Sequence, residues 1–81
     1  MNRLGLLILA TLKQSKATAI VSAMSVYEIK EYAQISQSIT TMHRAIKFLL
    51  DNECIKQGLK DSKSNTFYLT SIGERIISEV A

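Results

Sequence analysis

The sequence predicts a mainly α-helical domain with one small β-hairpin, in the order helix, short strand, helix, helix, two-stranded hairpin, helix. Three observations predict it. Four segments space their apolar residues three and four apart, as one face of a helix requires. Two short segments, CIKQGL and TFYLT, alternate apolar and polar residues instead, and the polar KDSKSN lies between them. Proline is absent and only three glycines occur, which leaves few points where a helix must break. The 81 residues suit one domain over positions 1–81. At that size nearly every apolar stripe is needed for the core.

The first helix is expected over Asn2–Gln14, with Leu4, Leu7, Ile8 and Leu12 at helical spacing and Leu6 and Leu9 on a second apolar side. Arg3 before an apolar run, with ATA at Ala17–Ala19, superficially resembles an export signal. Lys13 and Lys16 interrupt that run, and it is about half the ~20 residues that a membrane-spanning helix needs. It reads as a buried first helix. Ala19–Val21 then form the short strand.

MSVYEIKEYA carries a clear helix start. Ser25 and Glu28 stand in the S-x-x-E relation of a capping box, and Met24 and Ile29 occupy the positions of a hydrophobic staple. Val26, Ile29 and Ala33 form the apolar face of about two turns. After QIS, either Ser36 or Ser38 caps a third helix. Its inner stripe is Ile39, Met42, Ile46 and Leu49, joined by Leu50. Two short helices so closely spaced, over about 25–51, form a helix-turn-helix.

The hairpin occupies about 54–69. Ile55, Gln57 and Leu59 share one face of its first strand, and Phe67 and Leu69 share one face of its second. Thr70 caps a last helix over about 71–80, with Ile72, Ile76 and Val80 as its stripe. Leu4, Leu7, Ile29, Ile46, Leu49, Leu69 and Ile76 are the expected core.

Composition excludes several classes of chemistry. Hydrophobic residues make up 47% of the chain and charged residues 21%, which is globular rather than disordered. Cys54 is the sole cysteine, so no intrachain disulfide forms, and a reducing cytoplasm is expected. One histidine and one cysteine do not make a zinc site. No phosphate-binding glycine loop, dinucleotide fingerprint or nucleophile elbow occurs. Asp51 and Glu53, neighbours at a helix end, read as solvated charges. The expectation is a protein with no cofactor and no catalytic site. The net charge of +3 is compatible with a nucleic-acid partner without requiring one.

A hairpin directly after a helix-turn-helix resembles the winged-helix DNA-binding domain. ITTMHRAIKFLLDNECI resembles the recognition helix of MarR-like and PadR-like transcriptional regulators: hydroxyl residues, then an R-A-[LI]-K core, then a turn into the wing. FYLTSIGERI is similar to their Y-x-L-T-x-x-G segment, with Phe67 in place of the tyrosine. Two positions depart from the pattern. Glu53 stands where glycine is usual, so Asn52 is expected to end the helix. Phe48 stands on the polar side of the third helix, beneath the wing or against another subunit.

The resemblance implies sequence-specific binding of double-stranded DNA by a small cytoplasmic regulator, a repressor. Helix 37–51 would enter the major groove, presenting Gln37, Ser38, Thr40 and Thr41, with Arg44 and Lys47 beyond them. His43 would touch a phosphate. Lys60 and Lys63, at the wing tip, would lie on phosphates or at the minor groove, supported by Lys56. Tyr27 and Tyr68 can contact the backbone through their hydroxyls. The long dimerisation segments of those families are absent, which leaves the N-terminal and C-terminal helices as surfaces for a homodimer. Two other roles remain open for the same residues: an accessory DNA-binding protein in replication or of a mobile element, and a winged-helix module that binds protein.

Overall fold

Asn2 starts the first helix, its side chain accepting the Gly5 N–H at 2.9 Å. The computed structural model, which describes residues 1–60 and 63–80, then places α1 at Arg3–Gln14. Because α1 packs against three other helices, its buried arc is Leu4, Ile8, Leu9 and Leu12. Leu7 falls on the side left open and is exposed, contrary to its expected place in the core.

The strand expected at Ala19–Val21 is instead a 3-10 turn, Ile20–Ser22. Among the described residues no strand pairs with it, and the Ser22 hydroxyl holds the turn by accepting the Ala19 N–H at 3.2 Å. The strand comes just after, as β1 (Met24–Ser25). Ser25 also opens α2 (Val26–Ala33) through the expected capping box. Its hydroxyl accepts the Glu28 N–H at 3.2 Å, and the Glu28 carboxylate accepts the Ser25 N–H at 2.9 Å.

Ser38, rather than Ser36, caps α3 (Ile39–Asp51). The helix starts at Ile39, so Gln37 and Ser38 belong to the turn before it. The wing strands β2 (Ile55–Gln57) and β3 (Thr66–Leu69) follow, then α4 (Ser71–Val80). The sheet is antiparallel in the order β1-β3-β2, with Met24 opposite Phe67 and Ile55 opposite Leu69. Pairing β1 with β3 ties the start of the helix-turn-helix to the base of the wing. The polar turn expected between the strands lies partly outside the described residues, at Asp61 and Ser62.

Three helices end in the same way, and none uses glycine. Lys16, Gln34 and Glu53 each take a left-handed backbone conformation, with φ of 62°, 51° and 59°. Each is followed by a buried residue: Ala17, Ile35 and Cys54. In every case the buried residue's N–H reaches back to a carbonyl in the last turn, at Leu12, Lys30 and Leu49. This is the Schellman arrangement, which satisfies the orphan carbonyls of a helix end. It places the strain at Glu53, not at Asn52, whose φ is −97°. Asn52 acts differently, donating its side-chain amide to the Phe48 carbonyl.

Leu69 is buried as expected, and Phe67, on the same strand face, is buried with it. Of Ile55, Gln57 and Leu59 only Ile55 is buried, because β2 leaves the body of the protein as it enters the wing. The α4 stripe also rotates. Gly73 and Ile77 face the core, while Ile72 and Val80 are exposed and Ile76 is only half-buried. Gly73 is the cause. A Cβ there would be driven into the Cys54 carbonyl oxygen and would lie 2.7 Å from Leu69 Cδ1. Backbone against backbone at this point turns residues 73 and 77 inward. Thr70 completes the joint: its hydroxyl donates to the Glu53 carbonyl at 2.6 Å and accepts the Gly73 N–H at 3.2 Å.

Candidate nucleic-acid interface

The α3 helix is held on its inner face by Met42, Ile46 and Leu49, all buried. Its approach is set from α2. The Lys30 ammonium donates to the carbonyls of Ile35, at 2.7 Å, and Gln37, at 2.6 Å, and so spans the turn. The Ser38 hydroxyl accepts the Thr41 N–H at 3.2 Å and donates to the Thr41 hydroxyl at 3.1 Å. Two of the expected surface hydroxyls are therefore engaged in starting the helix.

The outer surface of α3 divides along its length. Thr40, His43 and Lys47, spaced three and four apart, form the flank toward the wing. Thr41 and Phe48 lie on the other flank, toward α1. There Thr41, Arg44, Ala45 and Phe48 meet Asn2, Leu4 and Gly5 around a largely apolar groove of about 320 Å³. Phe48 is 50% exposed and beside α1 rather than beneath the wing. Arg44 is exposed between the flanks, and its guanidinium makes no hydrogen bond or ion pair among the described residues. Lys47 pairs with Asp51 at 3.3 Å, a solvent-exposed contact that leaves the ammonium available.

Sequence reasoning placed His43 and Lys63 on separate elements. The fold brings both to one cleft of about 220 Å³, with Tyr27, Ser64 and Asn65 around it and Val26 and Phe67 below. Ser64 and Asn65 read in the sequence only as turn residues, because a polar tip gives no sign of which side chains turn back toward the helices. Lys60 is exposed and lines neither space. Lys56 is exposed on β2, opposite half-buried Tyr68.

The chemistry elsewhere is spare. Burial pushes the Cys54 thiol above its ordinary pKa, which keeps it protonated and unreactive. Among the described residues, no group of three or more His, Cys, Asp or Glu side chains is placed to hold a metal ion. No described helix is long and apolar enough to cross a membrane.

No protein-family model matches the chain, and no curated protein does. Solved structures do. TubR from Bacillus megaterium pBM400 superposes with a TM-score of 0.86 at 20% identity, covering 99% of this chain and 86% of that one. A DNA-binding TubR fragment from Clostridium botulinum gives 0.75 at 26% identity, covering 100% and 98%. F93 from STIV, a winged-helix DNA-binding protein, gives 0.75 at 15% identity, covering 93% and 79%. The fold is a winged helix-turn-helix. The likeness these three bear out is that of the winged helix; none of their descriptions names a MarR-like or PadR-like regulator.

Proposed function

We propose that this chain binds double-stranded DNA sequence-specifically and acts as a small transcriptional regulator, a repressor that blocks access to its site. The observation that carries this reading is the outer face of α3. It is a polar, cation-bearing surface on a helix pinned by a buried stripe, with the wing rising at one side. In this reading α3 enters the major groove. Gln37, Thr40 and Arg44 face base edges, and Thr41 and Lys47 lie closer to the backbone. Ser38 contributes mainly as the cap that aims the helix. His43, Lys60 and Lys63 contact phosphates along the wing. Two of the similar structures are themselves described as DNA-binding, which supports the same partner here. A role at an origin or in a mobile element would use the same surface.

The reading includes a cytoplasmic homodimer, since one short helix and a small wing offer limited contact with DNA. Ile72, Ile76 and Val80 form an apolar stripe on the outer flank of α4, and Leu7 is exposed on α1. Both terminal helices thus carry surface suited to a second copy. A protein-binding module would use Leu7 and Phe48 instead, with α3 left free of DNA.

The test is titration of a labelled random duplex pool at two salt concentrations, followed by selection of the preferred sequence. Binding that weakens steeply with salt and enriches one sequence supports the proposal, because phosphate contacts release counterions. Absence of duplex binding at low salt rejects it in favour of the protein module. Sedimentation of the free chain across concentrations reads the oligomeric state.

A further inference from the structure

The cleft between α2, α3 and the wing sets Tyr27, Ser64 and Asn65 beside His43 and Lys63, which the proposed function already places on phosphates. Tyr27 comes from the first turn of α2, His43 from the middle of α3, and Lys63, Ser64 and Asn65 from the return limb of the wing. All five can donate a hydrogen bond, and among the described residues no aspartate or glutamate lines the space. Among the described residues, too, none of the five side chains forms a hydrogen bond or ion pair within the protein. Five such donors around one hollow form a site for an acceptor.

The floor is rigid where the rim is polar. Val26 and Phe67 are buried beneath it, and the β1–β3 pairing of Met24 with Phe67 and Ser25 with Thr66 fixes the base of the wing to the start of α2. The volume of about 220 Å³ lies below the ~300–1,000 Å³ typical of small-molecule pockets, which suits one compact group rather than a cofactor. Its position narrows the choice further. His43 shares its flank of α3 with Thr40 and Lys47, so the cleft continues directly from the surface that faces the major groove. In the duplex-binding reading, the anions that border that path would be the backbone phosphates along the groove.

We propose that this cleft seats one phosphodiester of the DNA backbone, with Tyr27, Asn65 and Lys63 as its donors and His43 at the rim. The proposal rests on the duplex-binding reading and adds a defined anchor to it. A phosphate held at once by α2, α3 and the wing sets the register of the reading helix, whereas base contacts set the sequence. Tyr27 and Asn65 contribute neutral hydrogen bonds to a charged acceptor, and Lys63 contributes the charge.

The test compares the full chain with Tyr27→Phe/Asn65→Ala, with Lys63→Gln, and with all three changes together. Each is titrated with the selected duplex over a range of salt, and thermal unfolding confirms that these surface variants fold. The double variant is expected to lose about tenfold in affinity, equally for selected and unrelated duplexes. Lys63→Gln is expected to reduce the log–log salt slope by about one. Duplexes with a single neutral methylphosphonate then locate the anchor. At one position, neutralisation weakens the wild-type chain and leaves the triple variant unchanged. If the wild-type chain binds duplex while every variant keeps its affinity and slope, the anchor is wrong and the DNA reading stands. If the wild-type chain binds no duplex at low salt, both fall. Inorganic phosphate that shifts the Tyr27 and Asn65 resonances without competing with duplex identifies a free-anion site and also overturns the proposal.

Discussion

The Lys30 ammonium lies 2.6 Å from the Gln37 carbonyl oxygen and 2.7 Å from that of Ile35. One flexible cation therefore satisfies two carbonyls of the turn between α2 and α3, on the residues that lead into the Ser38 cap. Replacing Lys30 with methionine keeps most of the stem's packing and removes both bonds. The expected cost is about 1–2 kcal/mol, a fall of roughly 4–15 °C in thermal midpoint for a domain of this size. DNA affinity should fall as well, because the first turn of α3 loses its aim. An unchanged midpoint and an unchanged affinity together would show that the turn holds without the lysine.

Glu53 occupies a left-handed conformation, which costs an ordinary side chain roughly 1–2 kcal/mol and glycine almost nothing. Part of that gain is offset by the greater freedom of glycine in the unfolded chain. Glu53→Gly should stabilise the protein by about 0.5–1 kcal/mol in a denaturant titration, with duplex affinity unaltered. A destabilised variant would place a favourable interaction on the Glu53 side chain that the strain argument omits.

Gly73→Ala should be among the most damaging conservative changes. The added methyl group meets the Cys54 carbonyl, which is held in place by the N–H of Thr70 at 3.1 Å. Overpacking against backbone cannot be relieved by a rotamer change, so a loss of about 3 kcal/mol is expected. Equilibrium unfolding measures it directly. Wild-type stability in the alanine variant would mean that α4 slides along the sheet without cost.

Arg44→Ala should leave the thermal midpoint nearly unchanged, since the side chain is exposed and unpaired among the described residues. If the guanidinium grips a base edge through two hydrogen bonds, the variant should bind about 1–3 kcal/mol more weakly and relax its preference at one base pair. If it rests on a phosphate instead, all duplexes should weaken alike. Wild-type affinity for the selected site would remove Arg44 from the interface.

Cys54 is buried in the wing joint, and its pKa is raised above the ordinary 9.0 by that burial. The unfolded chain thus loses this proton first. The resulting stabilisation is fully present below about pH 9.0 and is lost as pH rises above it. A thiol-specific reagent at pH 8 should label the native protein slowly and follow the unfolding curve as denaturant is added. Labelling in native buffer at the rate of the unfolded chain would contradict the burial.

The elements most legible in the sequence are those with a local cause. The Ser25–Glu28 capping box, the α3 stripe of Met42, Ile46 and Leu49, and the Phe67–Leu69 alternation each depend on residues only a few positions apart. Their spacing marks the two short helices and the hairpin, and the resemblance to winged-helix domains is what joins them into one expected fold. Rotations of whole helices were not legible. Leu7 and Ile76 carry the right spacing for the core, yet which arc of α1 or α4 is buried depends on what packs beside it. Contact of α1 with three helices decides one case, and the approach of Gly73 to the Cys54 carbonyl decides the other. The division of α3 into a wing flank and an α1 flank has the same origin. Short-range spacing determined which residues could face outward together. Only packing between distant segments decided that His43 would share a cleft with Lys63 and Phe48 a groove with Leu4, because proximity across the chain is set by burial and backbone approach, not by sequence separation.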